Sequence, residues 1–445
     1  MFTDIGKMRL VDDEPATEDN LQFRFSKHAK SIANILVDNE TETPFVIAIN
    51  GEWGSGKTTF LSEIRRKTEK LDGKNNSLNI IDFNSWEYEK MDVFASLLDT
   101  ISEKSKSKNL ASAVILFACD SILRNKFGMS LDEAKSHFKK LRNETKSLKS
   151  KLSDIIGNKR TILFIDDLDR CNAENVLVML ENMKWFLTIK NVMVVMAVDM
   201  SKIEHAWELR YNNKAAKGIG RAHAEKMFQT VLNVPTKLKP DLLSYVIRLT
   251  NTMNILDDVD IRFFVNILPD NPRKIKHAVN LLQIELHNID ESYLDSGTDE
   301  KTYLRTLMAW IAISSYHRDI AKIVRMRSDF LIEAAIICSE IENRYTLKHS
   351  LEEYINSRKN KGETKTFVVT DRFRVDYKNM GPELIQILES CTSTDNSAYD
   401  ILYEYGKIFK IEKSPKTGHI QLDYILEQHS LHSKTLKTIV MHSLM

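Results

Sequence analysis

The stretch Gly51-Glu-Trp-Gly-Ser-Gly-Lys-Thr-Thr59 is a complete G-x-x-x-x-G-K-[ST] phosphate loop, preceded by the apolar run Pro44-Phe-Val-Ile-Ala-Ile-Asn50. A loop of this kind must follow a buried strand and open a helix, and the chain supplies both, with Phe60, Leu61 and Ile64 marking an amphipathic helix from about Lys57. Gly51, Gly54 and Gly56 let successive N–H groups turn toward phosphate oxygens, and Trp53, Ser55 and Thr59 complete the loop. Lys57 is placed to reach the β and γ phosphates, and the Thr58 hydroxyl to ligate Mg²⁺. The helix adds the positive end of its dipole. A nucleoside triphosphate is the expected ligand.

Working outward, a helix is expected within residues 21–38 with Ser26 as its cap, and a second strand over Leu78–Trp86 behind a turn-rich segment from Gly73. Residues 90–157 read as a helical insertion. Its basic stretch His137–Leu152 also carries an apolar side, Phe138, Leu141, Leu148 and Leu152, which favours a solvated helix face over a nucleic-acid patch. Strand character returns at Thr161–Ile165 and Val192–Val198, with a helix over Ala173–Leu187 between them. Strands alternating with helices predict a parallel sheet covered on both faces.

Ile162-Leu-Phe-Ile-Asp-Asp167 is an apolar strand ending in paired carboxylates, the Walker B pattern. Asp166 is the candidate metal ligand and Asp167 the candidate to polarise the attacking water, with Asp169 as its rival. Asp167 or Asp169 could instead simply cap the next helix. Asp199, at the end of the 192–198 strand, suits either a sensor of the γ-phosphate or a cap for the helix from Ser201.

With 445 residues, 42% of them hydrophobic, the chain can fill two or three cores, and a formal net charge of +1 does not advertise a nucleic-acid binder. Cys119, Cys171, Cys338 and Cys391 are scattered without ligand spacing, which suggests neither a disulfide framework nor a zinc site and fits a reducing cytoplasm. The N-terminus lacks a secretory pattern. The most apolar run, Leu110–Cys119, falls short of the roughly 20 residues that a membrane span needs, so no membrane association is expected. The expected division is an α/β phosphate-loop core over 1–240 containing the insertion, a helical lid and extension over 241–356, and a mixed tail over 357–445, with 357–365 as a linker, a short strand at 366–370 and a partner-binding role.

Together these motifs resemble the KAP family of P-loop NTPases, a branch of the STAND-like NTPases related to AAA+ proteins. The resemblance is carried by the phosphate loop, Phe83-Asn-Ser-Trp-Glu-Tyr88, Asp166-Asp-Leu-Asp-Arg-Cys171, Ala197-Val-Asp199, Glu225–Gln229 leading to Val234-Pro235, and Asn271-Pro-Arg-Lys-Ile-Lys276 with Asn280. It implies ATP and Mg²⁺ as cofactors and Arg273 as a sensor arginine in the lid, against the plainer reading of an arginine paired with a neighbouring carboxylate. An arginine opening a helix after Pro272 can couple a γ-phosphate to domain angle. Arg221 is a weaker candidate, as a finger acting in trans within a homo-oligomer. Many members carry transmembrane helices between the Walker elements, whereas this chain has the basic insertion, which implies a soluble member. Phage-exclusion and defence proteins in the family, often encoded beside an effector, imply an ATP-driven sensor or regulator with a protein partner. A DNA-directed motor is the alternative; a small-molecule kinase fits the paired aspartates less well.

Overall fold

The computed structural model describes residues 5–16, 23–73, 77–105, 159–183, 186–211, 226–289, 299–341, 343–359, 367–370, 373–375, 382–393, 397–409 and 430–443, with a few isolated positions between them. The chain divides into two units, one of Glu14–Thr236 and one joining Met1–Asp13 to Lys237–Met445. The basic stretch, the Leu110–Cys119 run and Arg221 lie outside the described residues.

The first unit opens with α1 (Phe25–Val37), β1 (Phe45–Asn50) and α2 (Lys57–Asp72). It continues through β2 (Leu78–Asn84), α3 (Val93–Ser105), β3 (Arg160–Asp166), α4 (Ala173–Met183), β4 (Val192–Val198), α5 (Met200–Tyr211) and β5 (Thr230–Asn233). The five strands form one parallel sheet in the order β2-β3-β4-β1-β5. The central strands β1, β3 and β4 are buried along nearly their whole length, which is why they read as unbroken apolar runs. On one face Phe83, Leu163, Ile165 and Val194 pack with Phe94 and Leu97 of α3 and Leu177 and Leu180 of α4. Along β1 the alternate residues Ile47 and Ile49 are also buried, and Phe60 of α2 meets Phe25 of α1 at 5.2 Å between ring centroids.

Local readings differ from the sequence expectation where tertiary partners intervene. Ser26 does not cap α1; Arg24 holds the cap position in the left-handed backbone region, and the Ser26 hydroxyl bonds Glu63 of α2 instead. The second strand ends at Asn84 because Asn84 Oδ1 accepts from the Trp86 N–H at 3.0 Å and starts a 3₁₀ turn over Ser85–Tyr88. The described helix spans Ala173–Met183, and Phe186–Thr188 forms a 3₁₀ turn within the stretch expected to be helical. Edge strand β5 was not expected.

The second unit is helical: α6 (Lys239–Leu249), α7 (Asp258–Ile267), α8 (Pro272–His287), α9 (Glu300–Tyr316), α10 (Arg318–Met326), α11 (Asp329–Glu340), α12 (Arg344–Lys359), a hairpin of β6 (Phe367–Thr370) and β7 (Phe373–Val375), then α13 (Pro382–Cys391), α14 (Ala398–Gly406) and α15 (Ser430–His442). Helix α12 runs into the segment expected to be a linker, to Lys359, and the strand expected near 366–370 is β6. Trp310, Ile336 and Tyr405 fill the core. Cys338 and Cys391, far apart in sequence, meet there as free thiols in hydrogen-bond contact. Fully buried Asp260 pairs with Arg305 at 3.0 Å and with Lys301 at 2.5 Å, pinning α7 to α9.

The N-terminal segment belongs to this unit by specific bonds to α8. Gln283 Oε1 accepts from the Arg9 N–H, and Asn280 Oδ1 from the Val11 N–H, both at 2.7 Å. Asn280 Nδ2 donates back to the Val11 carbonyl at 2.8 Å. One asparagine side chain thus grips both backbone polar groups of Val11. Gly6, at φ 85°, lies so close to the Thr252 carbonyl that a Cβ would stand 2.0 Å from its oxygen, so the position requires glycine.

Candidate functional site

The loop begins where three strands end. Asn50, the last residue of β1, donates through Nδ2 to Asn233 Oδ1 at 2.8 Å and accepts through Oδ1 from the Met200 N–H at 3.0 Å. The Gly51 N–H donates to the Val198 carbonyl at 3.1 Å, and the Val234 N–H to the Asn50 carbonyl at 2.8 Å. The loop is therefore aimed by both neighbours of its own strand. A Cβ on Gly51 would fall 2.5 Å from Ser55 Oγ. Gly56 takes φ 97° as the first residue before α2, and a Cβ there would press the Phe25 ring at 3.1 Å. No side chain caps α2 at Gly56, which leaves its N-terminus suited to an anion. Thr59 Oγ1 accepts from the Ala16 N–H at 3.4 Å. Trp53 is 59% exposed, with the Lys202 ammonium 5.9 Å from its ring centre.

The acidic residues converge on this loop. Lys57 Nζ donates to the carbonyls of Gly51 at 2.9 Å and Glu52 at 3.1 Å, and pairs with Asp169 Oδ2 at 3.1 Å. Both side chains are buried, so the pair holds the amine in place where a phosphate oxygen would compete for it. Lys202 Nζ donates to the Asp169 carbonyl at 2.9 Å. The Thr58 hydroxyl bonds the Asp166 carboxylate, which also accepts from the Asp167 N–H at 2.8 Å. Burial and the neighbouring Asp167 push Asp166 up to about 6 from 3.8. A carboxylate held against its own ionisation beside a hydroxyl is a fitting oxygen pair for a hard divalent cation.

Asp167 sits at φ 56°, a left-handed conformation that aspartate tolerates better than most residues. Its Oδ1 pairs with Arg170 Nε at 2.7 Å, and its Oδ2 accepts from Asn84 Nδ2 at 3.3 Å. Neither Asp167 nor Asp169 caps the following helix with its side chain: α4 is preceded instead by Asn172, whose Oδ1 accepts from the Asn175 N–H at 2.9 Å. Asp199 Oδ1 accepts from the Ser201 N–H at 3.1 Å and hydroxyl at 2.6 Å, so the capping reading describes its carboxylate. Burial, and then Glu89 and Asp167, push the Cys171 thiol up to about 12.

Lys57, Thr58, Asp166, Asp167 and Asp169 are thus brought to one edge of the sheet. Arg273 belongs to the second unit, where its Nε pairs with Asp13 at 2.5 Å. Asn84 and Arg170 stood in the sequence only as parts of motifs. Asn84 stands directly opposite Asp166 in the β2–β3 register, a pairing that the linear sequence does not carry.

Among the described residues no helix is long and apolar enough to cross a membrane. No curated protein matches the chain. Among solved structures it is similar to ORC2 of Aeropyrum pernix in ADPNP and ADP complexes, at 11% identity and a TM-score of 0.37 over 97% of each chain. It is also similar to the RuvB Holliday junction branch migration motor of Thermotoga maritima, at 13% identity and 0.32 over 68% of this chain and 80% of that one. Domain III of the Thermotoga maritima replication initiation protein DnaA gives 14% identity and 0.33 over 63% and 95%. The family model described as the KAP family P-loop domain matches residues 25–288, from the first residue of α1 to the residue that caps α8. With the phosphate loop, the acidic strand end and the five-stranded parallel sheet all inside that match, which covers more than half of the sequence, the chain belongs to the KAP family of P-loop NTPases.

Proposed function

We propose that this protein is a Mg²⁺-dependent ATP-hydrolysing switch that acts as a sensor or regulator in bacterial anti-phage defence. The observation that carries the reading is the contact between Thr58, on the phosphate loop, and Asp166, on the neighbouring acidic strand end, with Lys57 beside them. Phosphoryl transfer on a P-loop depends on positioning and charge neutralisation, and these groups supply both. Thr58 and Asp166 would hold the metal ion, whose charge would offset that of the phosphates. Lys57 would exchange Asp169 for a phosphate oxygen, and Asp167 would orient the attacking water. Arg273 would report the nucleotide state to the helical unit, which passes it to a partner protein in a homo-oligomeric assembly.

The test is ATP turnover by purified protein with and without Mg²⁺, for wild type, Lys57→Ala and Asp167→Asn, with light scattering in ATP and in ADP. The expected outcome is Mg²⁺-dependent turnover lowered about 10²–10³-fold in Lys57→Ala. Asp167→Asn should keep ATP binding and lose hydrolysis, and the assembly should differ between the two nucleotides. Unchanged turnover in Lys57→Ala would remove the reading. Turnover raised by added DNA at low salt would favour a motor instead.

A further inference from the structure

Asp167, Arg170, Trp86 and Asn84 close a circuit, through side chains except where Trp86 uses its backbone N–H. Asp167 Oδ1 pairs with Arg170 Nε at 2.7 Å, and the Arg170 guanidinium lies 4.9 Å from the centre of the Trp86 ring. The Trp86 N–H donates to Asn84 Oδ1 at 3.0 Å, and Asn84 Nδ2 returns to Asp167 Oδ2 at 3.3 Å. The Arg170 N–H also donates to the Asp167 carbonyl at 3.1 Å, so the turn that carries Arg170 is built on Asp167 itself. Both carboxylate oxygens are therefore engaged from outside the phosphate loop, Oδ2 by Asn84 at the end of β2 and Oδ1 by Arg170 in the 3₁₀ turn after β3. Only Trp86 of the four is exposed, at 50%.

We infer that Arg170 is a positioning residue that aims the Asp167 carboxylate, and that the Trp86 ring in turn holds Arg170 in place. The inference rests on the reading of Asp167 as the water-orienting carboxylate. A guanidinium nitrogen 2.7 Å from one carboxylate oxygen holds that oxygen by charge, and a planar ring under the guanidinium limits the rotamers from which it can act. A carboxylate left to rotate would still carry its charge but would meet the water in fewer productive geometries. The loss belongs to the chemical step, because none of the four residues lies on the phosphate loop.

The experiment is single-turnover ATP hydrolysis with enzyme in excess, which makes slow rates readable, combined with ATP titration. It compares Arg170→Ala, Arg170→Lys, Trp86→Ala, Trp86→Phe and Asp167→Asn. Arg170→Ala should lower the rate of hydrolysis about 10- to 100-fold, the range for partners one step removed from the reacting groups, with ATP affinity within about twofold of wild type. Arg170→Lys, which keeps the charge and loses the planar guanidinium over the Trp86 ring, should recover part of that rate. Trp86→Phe should be close to wild type and Trp86→Ala about tenfold slower. The double variant Arg170→Ala/Trp86→Ala should be no slower than Arg170→Ala alone, since the ring acts through the guanidinium.

Equal losses of rate and affinity in Arg170→Ala would assign it a structural role and overturn the inference. An unchanged rate in Arg170→Ala, with Asp167→Asn inactive, would overturn it while leaving the role of Asp167 intact. A slow Arg170→Ala beside an active Asp167→Asn would mean that the reading of Asp167 has failed and the inference with it. If Arg170→Ala does not fold, the comparison of Trp86→Ala with Trp86→Phe decides, because an exposed ring can be changed without emptying the core.

Discussion

Two aspartates, one in each unit, are withdrawn from water and end in opposite conditions. Asp260 in the helical unit is fully buried, and Arg305 and Lys301 answer its charge. Asp166 in the parallel-sheet unit meets a hydroxyl and a backbone N–H, with Asp167 and Asp169 close enough to oppose its ionisation. The first charge is satisfied by the fold and serves the fold. The second is left for a ligand to satisfy, which is how perturbed groups come to mark functional sites.

The largest expected effect tests the satisfied charge. Asp260→Ala takes their shared partner from Arg305 and from Lys301, which keeps Asp257, and should destabilise the helical unit by about 3 kcal/mol, measured by urea unfolding. Asp166→Asn should do the reverse in the nucleotide-free protein, raising its melting temperature while abolishing Mg²⁺-dependent turnover. A destabilised Asp166→Asn would break the comparison.

Titration sharpens it further. Burial and Asp167 raise Asp166 to about 6, above its unfolded 3.8, so its contribution is fully present below pH 3.8 and lost as pH rises through 6. Burial, with Lys274 nearby, lowers His317 in the helical unit from 6.5 to about 4. Its contribution is present above pH 6.5 and lost as pH falls through 4. Between pH 4 and 6 the two units should therefore respond with opposite slopes. Melting curves across that window should show a steeper gain with pH in Asp166→Asn and a flatter one in His317→Gln, relative to wild type.

The smallest effect is at the half-exposed pair of Arg273 with Asp13. Asp13→Asn should cost at most about 1 kcal/mol of stability in thermal unfolding, as partly exposed pairs do.

The sequence carried those parts of the molecule whose chemistry is local. Strands β1, β3 and β4 were legible because burial on both faces leaves an unbroken apolar run, and the phosphate loop and Asp166 because neighbouring residues share the task. Strand β5 was not, since an edge strand of four residues with alternating burial carries almost no pattern. Of the site, the aspartates were legible and their partners were not. The Asp167–Arg170 pair lies within one turn, but the approach of Asn84 depends on the β2–β3 register, and the Lys57–Asp169 pair on strand order, neither of which is written along one segment. The pairing of Asp260 with α9 and the meeting of Cys338 with Cys391 are long-range for the same reason.

The path of the chain gives the clamp on Val11 a further meaning. Polypeptide leaves the helical unit at Asp13, builds the whole parallel-sheet unit and returns at Lys237, so the sheet unit is spliced into its companion and not appended to it. A protease that nicked the chain at the return point would create two fragments, yet the first would still carry residues 5–13, and Asn280, Gln283 and Arg273 of the second would still grip them. The two pieces should travel together until that grip is released, much as a lock outlasts the cutting of one of its two chains.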